Sequence, residues 1–159
     1  MKAIFAGTFD PFTAGHKNIV ERATKLFEKV IIAVAVDTGK TTAPLHVRLD
    51  IAKSATAELN NVETESFSGL LSDYVMSKGD CVIIRGVRNS VDLEYERDVT
   101  RVYKSLCGVE SVIFITDESV GHVSSSLVRT VVSLGGSISD YVVPSTEQMI
   151  IDTYGKNNK

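Results

Sequence analysis

Three short stretches of this chain hold side chains suited to gripping phosphate. The first, GTFDPFTAGH over residues 7–16, offers the hydroxyls of Thr8 and Thr13 between Gly7 and Gly15 and ends in His16. Gly7 would let a ligand approach the main chain, Pro11 would stiffen the loop, and Gly15 would allow tight packing where a helix begins. His16 falls in the first turn of that helix, where unpaired amides and the positive dipole end favour a phosphate and disfavour an imidazolium; a neutral imidazole there can still donate one N–H. The second, RGVRNSVDLEYE over residues 85–96, carries Arg85 and Arg88, whose guanidiniums can clamp phosphate oxygens with paired hydrogen bonds. Gly86 would leave room for a nucleotide beside the backbone. Asp92 and Glu96, four apart, would share one helical face, Glu96 receiving a ribose hydroxyl and Asp92 orienting an arginine. The third, VSSSLVR over residues 123–129, puts Ser124, Ser125 and Ser126 at a helix start with Arg129 one turn on, a place to bind the β and γ phosphates of a triphosphate. Lys40, in DTGK, can reach the same region from the end of a strand.

Each stretch also has a plainer reading. The first would serve as a β-to-α turn capped by Asp10 and Thr13 with His16 packed away, the second as a solvated charged helix face, and one serine of the third as an ordinary N-cap. Residues 7–16 are neither a GxGxxG fingerprint nor a Walker A loop, since the required glycines and the GK[ST] ending are missing. His122 is a poor catalytic candidate.

The elements that would position these residues alternate along the chain. Apolar runs at residues 2–6, 30–36, 62–65, 81–84 and 111–115 predict five strands, the second apolar throughout as a strand covered on both faces should be. Helical patterns fall at 14–28, 47–59, 68–78 and 91–106, then after the serine run and over 145–154. In the first of them Ile19, Val20, Ala23, Leu26 and Phe27 share a face. Alternation of this kind predicts a single Rossmann-like α/β domain: a five-stranded parallel sheet with helices on both faces, spanning residues 1–159 with a short polar tail from about 155. Ligands of such sheets bind beyond the carboxyl ends of the strands, where all three stretches would emerge.

Bulk properties narrow the functions further. The 159 residues are 43% hydrophobic with a formal net charge of −3, which suits one buried core and speaks against a general nucleic-acid binder. With no charged leader and no long apolar stretch, the expectation is a soluble cytoplasmic protein with no membrane partner. Cys81 and Cys107 show neither CxxC nor metal-ligand spacing, and no metal ligands are expected from the protein.

Taken together, GTFDPFTAGH resembles the signature of the HxGH-type nucleotidyltransferases in its TxGH form, with Thr13, Ala14, Gly15 and His16 in the four places. Within that superfamily the whole chain resembles the bacterial phosphopantetheine adenylyltransferases: Arg85, Gly86, Arg88, Asp92, Glu94, Tyr95 and Glu96 match RGLRxxxDFEYE, and Ser124, Ser125, Ser126 and Arg129 match ISSSxxR. The resemblance implies transfer of AMP from ATP to 4'-phosphopantetheine, giving dephospho-coenzyme A and pyrophosphate. It implies that Gly7, Thr8, Phe9, His16, Gly86, Arg88, Glu96, Val123, Ser124, Ser125, Ser126 and Arg129 meet ATP, and that Thr8, Lys40, Leu71 and Arg85 meet the acceptor. His16, Lys40 and Arg88 would carry catalysis. Mg²⁺ would arrive through the ATP phosphates, with Asp10 an indirect contact at most. A homohexamer and feedback inhibition by coenzyme A are further family expectations. The sequence departs from the family pattern at Thr41 and Leu45, in place of Pro and Phe, and at Val120, where an aromatic residue commonly lies near the adenine. Two other readings stand beside this one: a relative in the superfamily that uses nicotinamide mononucleotide or glycerol phosphate as acceptor, and a nucleotide-binding module without catalysis.

Overall fold

Apolar side chains at every position of a strand can be buried only if both faces of the sheet are covered, and that is how this chain folds. The computed structural model describes residues 1–36, 39 and 42–155. Strands β1 (Lys2–Gly7), β2 (Lys29–Ala35), β3 (Val62–Phe67), β4 (Cys81–Val87) and β5 (Ser111–Ile115) form one parallel sheet in the order β3-β2-β1-β4-β5. Between and after them run α1 (Ala14–Ala23), α2 (Leu45–Ala55), α3 (Leu71–Ser77), α4 (Ser90–Cys107), α5 (Ser125–Ser133) and α6 (Glu147–Tyr154), with single turns at Glu118–Val120 and Pro144–Thr146.

The period of two along each strand sorts the core into two layers. Phe5, Ile32 and Ile84 stand side by side across β1, β2 and β4 and pack with Ile19 and Val20 of α1, Ile51 of α2, Val128 of α5 and Ile150 of α6. Their neighbours Ile4, Ile31 and Ile83 point the other way, onto Leu71 and Val75 of α3, with Tyr103 and Cys107 of α4 at the margin. Each fully buried Ile or Val in these layers contributes roughly 1.5–3 kcal/mol relative to exposure. A one-residue slip of any strand would exchange the two layers, which fixes the register.

The chain leaves β1 toward β2 and β3, then returns across the sheet to β4 on the other side of β1. This reversal opens a crevice at the carboxyl ends of β1 and β4, the ligand-binding place of open α/β sheets.

Several boundaries differ from the sequence expectation. Helix α1 stops at Ala23 rather than continuing to Glu28, because the Thr24 hydroxyl bonds back to the Glu21 carbonyl at 2.8 Å and both Leu26 and Phe27 amides return to Ala23. Leu26 consequently lies outside the core, 69% exposed, while Phe27 packs against it. Strand β4 continues three residues past Ile84 because β5 runs beside it, pairing Arg85 with Ile113 and Gly86 with Phe114. Helix α2 starts two residues earlier than the pattern and ends at Ala55, and α3 is confined to seven residues.

Candidate active site

A cavity of about 410 Å³ occupies the crevice. Gly7, Thr8, Phe9, Thr13 and His16 line one side, Arg85, Gly86, Arg88, Asp92 and Glu96 another, and Val123, Ser124 and Ser125 close it. Residues from all three stretches of sequence therefore meet in one space.

The spacing of TAGH has a local structural cause. Thr13 is the N-cap of α1 and His16 its third residue, and the two bond reciprocally as a capping box: the Thr13 amide donates to His16 Nδ1 at 3.0 Å, and the His16 amide points to the Thr13 hydroxyl at 3.5 Å. Because Nδ1 accepts from a backbone N–H, the neutral ring carries its proton on Nε2, which makes Nε2 the ring's donor at the cavity wall. Phe9 meets the imidazole edge-on at 5.1 Å between ring centroids, with Phe12 and Phe5 at 5.3 and 6.0 Å. Burial in this apolar cage, and secondarily the nearby Arg88 charge, lower the His16 pKa to about 4. The side chain is thus a neutral hydrogen-bond donor at pH 7, fixed in tautomer by its own helix cap.

The two arginines of the second stretch are held differently. Arg85, a strand residue, forms a two-pronged bridge to Glu96 at 2.6 and 2.7 Å and donates to the Ala6 carbonyl at 3.2 Å. Burial opposes its charge, but the Glu96 carboxylate outweighs this and holds the proton more firmly than usual. Glu96 is itself buried, and each engaged oxygen keeps a lone pair for a further donor. Arg88 is more exposed. Its side chain bonds Asp92 at 2.8 and 3.3 Å, and its amide donates to the same carboxylate at 3.1 Å, so Asp92 does orient an arginine, as its spacing predicts. The Arg88 guanidinium keeps the Asp92 carboxyl below the ordinary range.

The serines divide their work. Ser124 is the N-cap of α5, its hydroxyl accepting from the Leu127 amide at 3.1 Å. Ser125 donates to the Pro11 carbonyl at 2.8 Å, tying α5 to the first loop. Ser126 is exposed and receives Arg129 at 3.4 Å, while the other arm of Arg129 donates to the Asp10 carbonyl at 2.5 Å. The first amides of α5 have no carbonyl one turn earlier to bond, leaving donors at the cavity edge.

Some expected features take other places. Leu71 is buried among Ile4, Ile31 and Ile83 on the far layer of the core and does not line the cavity, and neither do Ser126 or Arg129. Lys40 lies outside the described residues. The open space credited to two glycines is claimed by the protein itself. A Cβ on Gly86 would sit 2.0 Å from Ile19 Cδ1, and one on Gly7 3.1 Å from the Phe9 ring. At Gly15 the nearest atom would be 3.6 Å away, an ordinary contact, so packing does not demand glycine there. Val120 packs against the core, and exposed His122 rests edge-on against Tyr141 at 5.8 Å.

Three supporting features were not foreseen. Phe9 is 3% exposed and adopts φ +46°, a left-handed backbone that costs on the order of 1–3 kcal/mol for a bulky residue and is held by the surrounding rings. Arg48 is 1% exposed and, among the described residues, donates to four backbone carbonyls: Thr8 at 2.7 Å, Ala35 at 2.9 Å, Val36 at 3.0 Å and Ala43 at 3.2 Å. It gathers the ends of β1 and β2 around one cation. Asp10 is buried and accepts from Thr42, Ala43 and Tyr154. An arginine on the apolar face of LHVRLD was the one signal that could have revealed Arg48.

The fold and cavity define a nucleotidyltransferase-like α/β protein. Residues 4–131 match the cytidylyltransferase-like family model, which ends before α6. The phosphopantetheine adenylyltransferase of Deinococcus radiodurans is 41% identical over 150 residues, covering 92% of this chain and 90% of that protein. Those of Desulfitobacterium hafniense strain Y51 (40% identical, 96% and 94% covered) and Acidovorax sp. strain JS42 (35%, 97% and 94%) are similar over the same extent. The chain belongs to the cytidylyltransferase-like family, in its phosphopantetheine adenylyltransferase branch. A Vibrio parahaemolyticus crystal structure bearing the provisional name nicotinate-nucleotide adenylyltransferase superposes with a TM-score of 0.70, covering 97% of each chain at 15% identity, and shares the fold.

Proposed function

We propose that this enzyme transfers AMP from ATP to 4'-phosphopantetheine. A 4'-phosphate oxygen attacks the α-phosphorus of ATP; the new P–O bond forms as the bond to the bridging oxygen breaks, and that electron pair leaves with pyrophosphate. The product is dephospho-coenzyme A. The attacking oxygen is already anionic, so neither a covalent intermediate nor a strong general base is needed. The protein's part is to align the two phosphates, a contribution that can reach roughly 7–11 kcal/mol in favourable cases, and to meet developing charge with fixed donors.

In this reading the Nε2–H of His16 and the Arg88 guanidinium meet the transferring phosphoryl group, Lys40 is given a role in the same step on its sequence motif, the start of α5 receives the departing phosphates, and Arg85 serves the acceptor side. Gly86 and Glu96 border the nucleotide. The observation that carries the reading is the convergence of a neutral, cap-fixed imidazole, two arginines and a helix start on one cavity, in a chain 35–41% identical to adenylyltransferases of that name.

Among the described residues no three His, Cys, Asp or Glu side chains cluster, and the Asp10 carboxylate accepts from Thr42, Ala43 and Tyr154. Mg²⁺ would enter on the ATP phosphates. Coenzyme A, which carries both a nucleotide and a pantetheine end, would compete for the same cavity as a feedback inhibitor. Exposed Val91, Tyr95, Val102 and Leu106 on α4 favour assembly, in the proposed state a homohexamer. Among the described residues no helix is long and apolar enough to cross a membrane.

Pyrophosphate release from ATP, measured with phosphopantetheine, nicotinamide mononucleotide and glycerol phosphate in parallel, tests the assignment. Release with phosphopantetheine alone supports it; preference for another acceptor, or none with any, replaces it by one of the rival readings.

A further inference from the structure

The loop that presents His16 is braced from behind by the end of the chain. Asp10, at the centre of GTFDPFTAGH, is 3% exposed, and no cation pairs directly with its carboxylate among the described residues. Its Oδ2 accepts from the Thr42 amide at 2.7 Å and the Thr42 hydroxyl at 3.0 Å. Its Oδ1 has a long bond from the Ala43 amide at 3.2 Å and a short one from the Tyr154 hydroxyl of α6 at 2.6 Å. Tyr154 is therefore the principal partner of Oδ1. Burial opposes the Asp10 charge, yet Tyr154 foremost, then Thr42 and Ala43, hold its carboxyl below the ordinary range. The connection between α5 and α6 touches the start of α1 as well, where the Tyr141 carbonyl accepts from Ala14, the first amide of α1, at 2.9 Å.

From these contacts we infer that Tyr154 is a positioning residue for the active site, acting through Asp10. Its hydroxyl fixes the carboxylate plane. That plane sets where residues 42 and 43 lie relative to the strand-one loop, and hence how Phe9, Thr13 and His16 are presented to the cavity. The brace comes from α6, on the opposite side of the loop from the cavity-lining residues of β4 and α4. As a statement about catalysis it rests on the adenylyl-transfer reading; as a statement about structure it does not.

Tyr154→Phe removes one oxygen, keeps the ring packing and leaves Asp10 Oδ1 with its weak partner alone. Hydrogen exchange and steady-state kinetics on the full chain read the two halves of the inference. The Thr42 and Ala43 amides should exchange roughly tenfold faster in the variant, since a hydrogen bond to a charged group is being loosened, while the β1 and β2 amides keep their protection. With ATP and phosphopantetheine, kcat should fall roughly tenfold with KM for ATP little changed, the pattern of lost alignment. Asp10→Asn should do the same, and the double variant should lose no more than the worse single one. Unchanged exchange at Thr42 and Ala43, or exchange raised uniformly through the sheet, overturns the inference, as does full activity in Tyr154→Phe. If the wild type releases no pyrophosphate, the reaction assignment fails, and the exchange data still decide whether the brace exists.

Discussion

In the proposed reaction His16 would take its chemical role from a structural one. Its Nδ1 caps a helix and its ring sits among phenylalanines, so the remaining N–H is fixed and uncharged. Replacing it by alanine should lower kcat by roughly 100- to 1000-fold, as for loss of an oxyanion donor, with ATP affinity measured by titration calorimetry nearly unchanged. Unchanged turnover with weakened binding would remove it from the transition state. Its pKa of about 4, against 6.5 when unfolded, also has a stability consequence. Between those values the unfolded chain takes up a proton that the folded chain refuses. Stability therefore falls as pH drops through this window, by on the order of 3 kcal/mol in all. Urea unfolding at a series of pH values should show this slope flattened in His16→Ala. Thr13→Ala should cost about 1 kcal/mol as a lost N-cap while its backbone amide still donates to His16 Nδ1, and Thr13→Ser should preserve the cap.

Among elements, β4 and α1 approach closely at Gly86 and Ile19. A methyl on Gly86 would meet Ile19 Cδ1 at 2.0 Å, so Gly86→Ala should destabilise the fold by roughly 1–3 kcal/mol through overpacking. Ile19→Val removes that terminal carbon and should recover part of the loss, measured as a double-mutant cycle in thermal unfolding; additive effects would show that the strain lies elsewhere. The same pair shows where sequence reasoning reached and where it stopped. Strand alternation, the βα order and the clustering of three motifs at one sheet edge were legible because they follow from local periodicity and topology. That Gly86 makes room for Ile19 was not, since nothing local to either residue records the crossing of β4 and α1. For Asp10 the sequence suggests only a cap of the turn or an indirect magnesium contact. Its carboxylate partners lie 32, 33 and 144 positions away, and only the folded chain brings them together. The α1 boundary was missed for the opposite reason, a very local one: Thr24 bonds its own preceding turn, and helical periodicity in Leu26 and Phe27 is blind to that competition.

Across the whole molecule, α4 stands out as an 18-residue helix whose buried residues are limited to Glu96, with Val91, Tyr95, Val102 and Leu106 left exposed. Such a surface suits self-association. Size-exclusion chromatography with light scattering should find the wild type as a homohexamer, and Leu106→Asp, a change on the exposed side of α4, should shift it to smaller species without unfolding it; a monomeric wild type would contradict this.

The central claim is that one cavity aligns two phosphorylated molecules for a single direct displacement. The stereochemical course of the reaction tests it: ATP carrying sulfur at the α-phosphorus in one known configuration, turned over with phosphopantetheine, should give a product inverted at that phosphorus. Retention would mean two successive displacements through an enzyme-bound nucleotide, and would contradict the account.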